Sequence, residues 1–212
     1  MSNHVIGETF GGPRICFIGD SFVQGLGDPE FRGWVGRVLQ AAAPDSTAFN
    51  LGVRRNSSAE VLRRCWAEVE SRTLPGADNR LVVSVGANDA MTEGGAPRVG
   101  PAETLANLAA LLDGARERGI GTFVVGPPPV VCGGAEHLDR LLALAPAMAA
   151  LCARRGVPFV DVTRVLAEDR VWVAEANAAD GAHPGAGGYR RLAELVLDGG
   201  FGGWIGSVPE RA

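Results

Sequence analysis

Apolar residues along this chain fall into two kinds of run that alternate. Five runs are short, β-rich and almost unbroken in apolar character, at residues 14–18, 47–51, 81–85, 121–125 and 158–162. A strand covered on both faces needs an apolar side chain at nearly every position, so these runs predict strands of a parallel sheet. Between them apolar residues recur at helical spacing, which predicts helices over 34–43, 58–72, 103–118 and 136–155 and a last one from about 186 to 197. In the third of these, Leu105, Leu108, Leu111, Leu112 and Ala115 share one face. Arg116 and Arg118 suit its C-terminal dipole, and Gly119 suits its stop. Pro146 lies inside the fourth pattern and predicts a kink or a division into two helices.

Strictly alternating strands and helices argue for an α/β architecture of about five parallel strands with helices on both faces. Ligands of such sheets bind beyond the carboxyl ends of the strands. No linker, repeat or low-complexity block interrupts the pattern, so the expectation is one domain over 1–212. Residues 1–13 form a lead-in and 199–212 a glycine-rich tail, which Phe201 and Trp204 can dock onto the body.

Composition narrows the function classes. The 212 residues are 46% hydrophobic and 21% charged, enough for a sizeable core. The net charge of −4 offers no basic surplus for a nucleic-acid backbone. No apolar run is long enough to span a membrane, and the first residues lack a secretory pattern, so a cytoplasmic protein is expected. Cys16, Cys65, Cys132 and Cys152 form no Cys-x-x-Cys pair and have no histidine at zinc-ligand spacing. Reduced thiols and no metal are expected, with Cys16 a small core residue of the first strand. Gly25-Leu26-Gly27 lacks the third glycine of a dinucleotide fingerprint, and no Gly-Lys-Ser/Thr occurs, so no nucleotide cofactor is expected.

The candidate chemistry sits at strand ends. The first strand stops at Gly19-Asp20-Ser21, and Asp180-Gly181-Ala182-His183 precedes the last helix. A serine, a histidine and an aspartate can serve as nucleophile, general base and orienting carboxylate. Gly-Asp-Ser by itself also fits a turn that caps a helix, and His183 before Pro184 also fits a plain loop histidine. Asp20 is expected to hold its loop through backbone hydrogen bonds rather than to move protons. His4 and His137 are expected at the surface. Two further segments follow strands: Asn50-Leu51-Gly52-Val53-Arg54-Arg55 and Gly86-Ala87-Asn88-Asp89. Taken alone, Asn88-Asp89 also suits a turn or cap.

These four segments in this order resemble the SGNH hydrolases, the GDSL lipase/esterase family, over nearly the whole chain from Arg14 to about Leu197. The resemblance implies a flavodoxin-like three-layer α/β/α sandwich and a serine esterase that works through an acyl-enzyme. It implies Ser21 as nucleophile, His183 as base and Asp180 as its orienter, with no cofactor. The oxyanion hole would draw on the Ser21 N–H, the Asn88 side-chain amide and an N–H of the second segment, with Asp20, Gly86 and Asp89 supporting the loops. The glycine usual at the second-segment donor falls here on Arg55, which would be strained at positive φ; Gly52 is the alternative. Gly126-Pro127-Pro128-Pro129 reads as a pocket wall. The loops over 91–101 and 130–137 are short and rich in small residues, which favours short acyl or acetyl esters as small-molecule substrates. An acyltransferase or thioesterase on the same site, and a non-catalytic binding module on the same fold, are the competing readings.

Overall fold

The structure is a computed structural model that describes residues 12–207. Five parallel strands form the central sheet: β1 (Arg14–Gly19), β2 (Thr47–Gly52), β3 (Asn79–Ser84), β6 (Gly121–Val125) and β7 (Phe159–Val160), in the spatial order β2-β1-β3-β6-β7. Two-residue strands β4 (Thr92–Glu93) and β5 (Ala96–Pro97) make a separate hairpin. The helices are α1 (Ser21–Gln24), α2 (Gly33–Ala42), α3 (Ser58–Glu70), α4 (Pro101–Glu117), α5 (Gly134–Ala153), α6 (Thr163–Glu168), α7 (Arg170–Ala178), α8 (Ala186–Asp198) and α9 (Phe201–Gly206).

Side chains of successive strand residues point to opposite faces, and each face carries its own core. On one side Ile15 and Phe17 of β1 pack with Trp34 and Val38 of α2, Tyr189, Leu192 and Val196 of α8, and Phe201 of α9. On the other, Cys16 and Ile18 pack with Val61 and Cys65 of α3, Leu108 and Leu111 of α4, and Met148 and Cys152 of α5. The sheet is therefore the middle of three layers, as expected. Burial pushes the Cys16, Cys65 and Cys152 thiols up to about 11, 12 and 11, which makes them inert core residues.

The expected strands stand, with shifted ends. β3 starts at Asn79 because Arg80 is buried, sandwiched between Asp78 (2.6 Å) and the Trp204 ring (5.0 Å), with the Trp204 carbonyl at 2.5 Å. That contact, with Phe201 against Phe123, docks the tail as α9. β7 shrinks to two residues: it is an edge strand, and Pro158 before it has no N–H to give to the ladder. Of the kink or division expected at Pro146, the division does not occur: the helix runs as one element from Gly134 to Ala153 with Pro146 inside it. Two helices, α6 and α7, fill the stretch after β7, where the apolar pattern announced none. Among the described residues, no helix is long and apolar enough to cross a membrane.

The sheet order places the chain reversal between β1 and β3: β2 lies outside β1, and β6 and β7 lie outside β3. A crevice opens at the carboxyl ends on either side of such a point. The segments that follow β1, β2 and β3 converge there.

Candidate active site

β1 ends at Gly19, where only glycine fits: a Cβ there would lie 2.2 Å from the Ser84 carbonyl oxygen. The chain turns at once into α1, capped by Asp20, whose carboxylate accepts from the Phe22 N–H at 2.9 Å. Ser21 thus becomes the first residue of a one-turn helix, 4% exposed, at the sheet's carboxyl edge.

His183 arrives from the other end of the chain. Its Nε2 lies 2.7 Å from Ser21 Oγ and its Nδ1 2.7 Å from Asp180 Oδ2. Asp180 Oδ1 also accepts from the Ala182 and His183 N–H groups at 3.0 and 2.9 Å, so the three-residue loop is folded around its own carboxylate. Burial alone would raise the Asp180 carboxyl. The bonds from the His183 N–H, the His183 ring and the Ala182 N–H outweigh it and hold it at about 2. An ionised carboxylate only accepts, so Nδ1 carries the hydrogen, and Nε2 is left to accept the Ser21 hydroxyl proton. The Phe22 ring backs the imidazole at 5.3 Å.

The loop is braced from outside. Glu175 of α7 accepts from the Gly187 and Gly188 N–H groups at 3.1 and 2.7 Å and so caps α8. Gly27, at φ 91, lets the α1–α2 loop press against Pro184. Tyr189 donates to the Leu26 carbonyl at 2.7 Å. The buried Asp28 carboxylate pins the same loop by accepting from Arg37 and from the Gly33 N–H.

Asn88, after β3, points its side chain at the same place. Its Nδ2 donates to Asp20 Oδ2 at 3.0 Å, which fixes the amide and leaves a second N–H for the cleft. Asp89 turns away, accepting from the Ser58 N–H at the start of α3 at 2.8 Å. Gly86 is at φ 115, closed to an L side chain without strain. The Asp20 carboxylate thus accepts from both the Phe22 N–H and the Asn88 amide. It ties the turn before Ser21 to Asn88.

Burial pushes the Asp20 carboxyl up to about 7, against the pull of the Phe22 N–H and the Asn88 amide. Between the ordinary carboxylate range and that value the folded chain holds a proton that the unfolded chain has lost. Asp20 therefore contributes less stability as pH rises from about 4 to 7. Asp20→Ser keeps a capping oxygen and removes the titration. The difference in urea midpoint between variant and parent should move in the variant's favour from pH 5 to pH 8; a difference independent of pH would refute the shift.

Gly52 and Arg55 of the second segment stand in different surroundings. The Gly52 N–H is committed to Asn50 Oδ1 at 3.0 Å, and a Cβ at Gly52 would meet Gln24 N at 2.1 Å. Gly52 is required by close packing on α1. Arg55 carries its backbone at φ 68, the left-handed region, and lines the cleft beside Ser21 and Asn88. Neither the Ser21 nor the Arg55 N–H meets a protein acceptor among the described residues.

The cleft holds about 430 Å³ and is walled by Phe22, Arg54, Arg55, Asn88, Met91, Thr92, Glu93, Arg98, Val130, Cys132 and Ala182, with Ser21, Asp180 and His183 at one side. A larger hollow of about 760 Å³ near Thr73 and Arg118 has hydroxyl and carboxylate groups in its lining but no histidine to pair with them. The prolines of 127–129 are buried beneath the cleft rather than lining it. The Pro127 carbonyl accepts from Thr163 and the Pro129 carbonyl from Trp172, so their wall role passes to Val130 and Cys132.

His137 corrects an expectation. It is 1% exposed, not a surface residue. Its Nε2 lies 3.0 Å from the Ala87 carbonyl and so donates to it, while Nδ1 has no partner among the described residues. Burial lowers its pKa, which keeps the ring neutral. The start of α5 folds over the β3 loop, and only tertiary packing puts it there. His4 lies outside the described residues. The sequence assigned no role to Arg54, Thr92, Glu93 and Arg98, although Arg54 lies inside the second segment and the other three lie in the loop over 91–101. Among the described residues no group of three or more metal-ligating side chains is gathered.

Residues 17–191 match the model of the GDSL-like lipase/acylhydrolase family. Solved structures with the same fold include a lipase/acylhydrolase from Enterococcus faecalis, 21% identical over 94% of this chain and 100% of that one, with a TM-score of 0.71. An acetylxylan esterase from Geobacillus stearothermophilus is 20% identical over 95% and 97%, with a TM-score of 0.71. TesA is 22% identical over 89% and 98%, with a TM-score of 0.70. No curated protein matches the chain in sequence.

Proposed function

Since the chain belongs to the GDSL-like lipase/acylhydrolase family and is a carboxylic ester hydrolase, we propose that it cleaves small acyl and acetyl esters through an acyl-enzyme on Ser21. The observation that carries this reading is the unbroken chain of hydrogen bonds from Ser21 Oγ through the His183 ring to Asp180, 2.7 Å at each step.

In the forward step His183 Nε2 takes the hydroxyl proton as Oγ attacks the ester carbonyl carbon. The carbonyl oxygen becomes an oxyanion, facing the N–H groups of Ser21 and Arg55 and the free amide hydrogen of Asn88. The imidazolium, held by Asp180, then protonates the departing alcohol, and the acyl group stays on Oγ. A water entering the vacated place gives its proton to Nε2 and attacks the acyl carbon. Collapse returns the proton to Oγ and releases the acid.

The cleft wall supports short acyl chains. Arg54, Arg55, Thr92, Glu93 and Arg98 make much of it polar, with Phe22, Met91, Val130 and Ala182 between them. Each buried CH₂ would be worth about 0.8 kcal/mol, and the charged groups break the apolar wall into short stretches that suit a short chain better than a long one. With nitrophenyl esters of rising length, kcat/KM should peak at acyl chains of about two to four carbons. A tenfold preference for about ten carbons over acetyl would overturn this. The tail would then be reaching the apolar pocket of about 170 Å³ between Ala90, Val99, Leu105 and Leu144. The acetylxylan esterase of the same fold gives the acetyl case independent support.

A further inference from the structure

Five charged side chains besides the histidine face the cleft: Arg54, Arg55 and Arg98 against Glu93 and Asp180. Both carboxylates are engaged, Asp180 by the His183 ring at 2.7 Å and Glu93 by Arg98 Nε at 3.2 Å. Arg98 is occupied further by Glu60 at 3.4 Å and by the Arg55 carbonyl at 2.9 Å. Arg54 and Arg55 are exposed and meet no acidic group among the described residues. A chain of net charge −4 therefore presents two uncompensated guanidinium groups at the edge of its catalytic cleft.

The backbone supplies the second observation. Arg55 sits at φ 68, a region that strains an L residue and not glycine. The main-chain N–H that would meet the oxyanion, and the carbonyl that accepts from Arg98, are the same in glycine. Main-chain duty therefore does not explain the side chain. A residue held where local energetics oppose it, in a catalytic cleft, marks a use for that side chain.

We propose that Arg54 and Arg55 form an anion-recognition element and that the preferred substrates are esters carrying a carboxylate on their acyl or alcohol part. A guanidinium offers paired N–H donors that match the two oxygens of a carboxylate, which an ammonium does not. This inference rests on Ser21 as the nucleophile of the same cleft. The groups are exposed, so the gain per contact is modest and screened by salt, and a preference of about tenfold is the expected scale.

Two matched pairs of esters test it. 4-Acetoxybenzoate against 4-acetoxybenzamide places the charge on the alcohol part. Phenyl hydrogen glutarate against the phenyl ester of glutaramic acid places it on the acyl part. The ratio of kcat/KM for the charged over the neutral member is measured in the parent, in Arg54→Gln, in Arg55→Gln and in the double variant. In at least one pair the ratio should fall about tenfold in the double variant, mainly through KM. Raising the salt from about 20 to about 500 mM should erode the ratio in the parent and not in the double variant. The pair that responds identifies the side that bears the anion. If the neutral esters are hydrolysed and both ratios agree within twofold between parent and double variant, the arginine inference fails while the esterase reading stands. If neither neutral ester is turned over and an organophosphonate fails to label Ser21, both fail.

Discussion

Ser21→Ala abolishes ester hydrolysis and leaves the fold intact: that is the expected result, with turnover reduced on the order of a million-fold, the scale seen when a nucleophile–base pair loses a member. The hydroxyl is small, 4% exposed and bonded only to the His183 ring, so its loss opens no sizeable cavity and orphans no buried charge. Thermal unfolding should stay within a few degrees of the parent, while an organophosphonate should modify the parent and spare the variant. His183→Ala should be about as damaging, because the two groups act as one unit and a serine without a base is a poor nucleophile. Asp180→Asn should be milder. Its oxygen can still accept from the loop N–H groups, but its NH₂ then faces His183 Nδ1, so the charge behind the imidazolium and the fixed tautomer are both lost. Retention of turnover within tenfold in Ser21→Ala would sink the assignment of the nucleophile.

The second large effect separates two donors aimed at one oxygen. Asn88→Ala deletes a side-chain amide and should cost about a hundred- to a thousand-fold in turnover, with little change in KM, because the bond matters most once charge has developed on the oxygen. It also leaves Asp20 Oδ2 without its 3.0 Å partner, so a modest loss of stability should accompany it. Arg55→Gly keeps the N–H and relieves the φ of 68. Turnover of a neutral acetyl ester should fall less than about tenfold. Relief of left-handed strain, offset in part by glycine's freedom in the unfolded chain, should raise the melting temperature by at most a few degrees. If Arg55→Gly lowers turnover of a neutral ester as far as Asn88→Ala, the guanidinium itself takes part in the chemical step.

Much of this was legible in the residue order, for reasons that can be named. Strands covered on both faces must be apolar throughout, so β1, β3 and β6 announced themselves with ends within two residues, and the half-buried edge strand β2 was placed as closely. Helices α3 and α4 carry both a stripe and end signals: Ser57 and Glu60 form a capping box, and Gly119 stands at positive φ just after α4. Ser21, Asp180 and His183 were visible because a three-residue gap and a strand end are local features. α6 and α7 went unread because each is short and leans on neighbours: Trp172 is buried by Phe22 and by the Pro129 carbonyl, which lie far away in the chain.

The sequence by itself determined the alternation of strands and helices, the parallel sheet that follows from it, and the placing of three polar segments at strand ends and a fourth before the last helix. Each of these depends on residues within one or two turns of one another, or on the rule that ligands gather at the carboxyl edge of such a sheet. Tertiary structure alone decided that the Gly52 amide is engaged by Asn50, that His137 is interior and holds the Ala87 carbonyl, and that the two arginines beside Ser21 lack counter-ions among the described residues. Those outcomes depend on hydrogen bonds and charges brought together across long stretches of chain, where a one-dimensional pattern carries residue identity but neither distance nor desolvation.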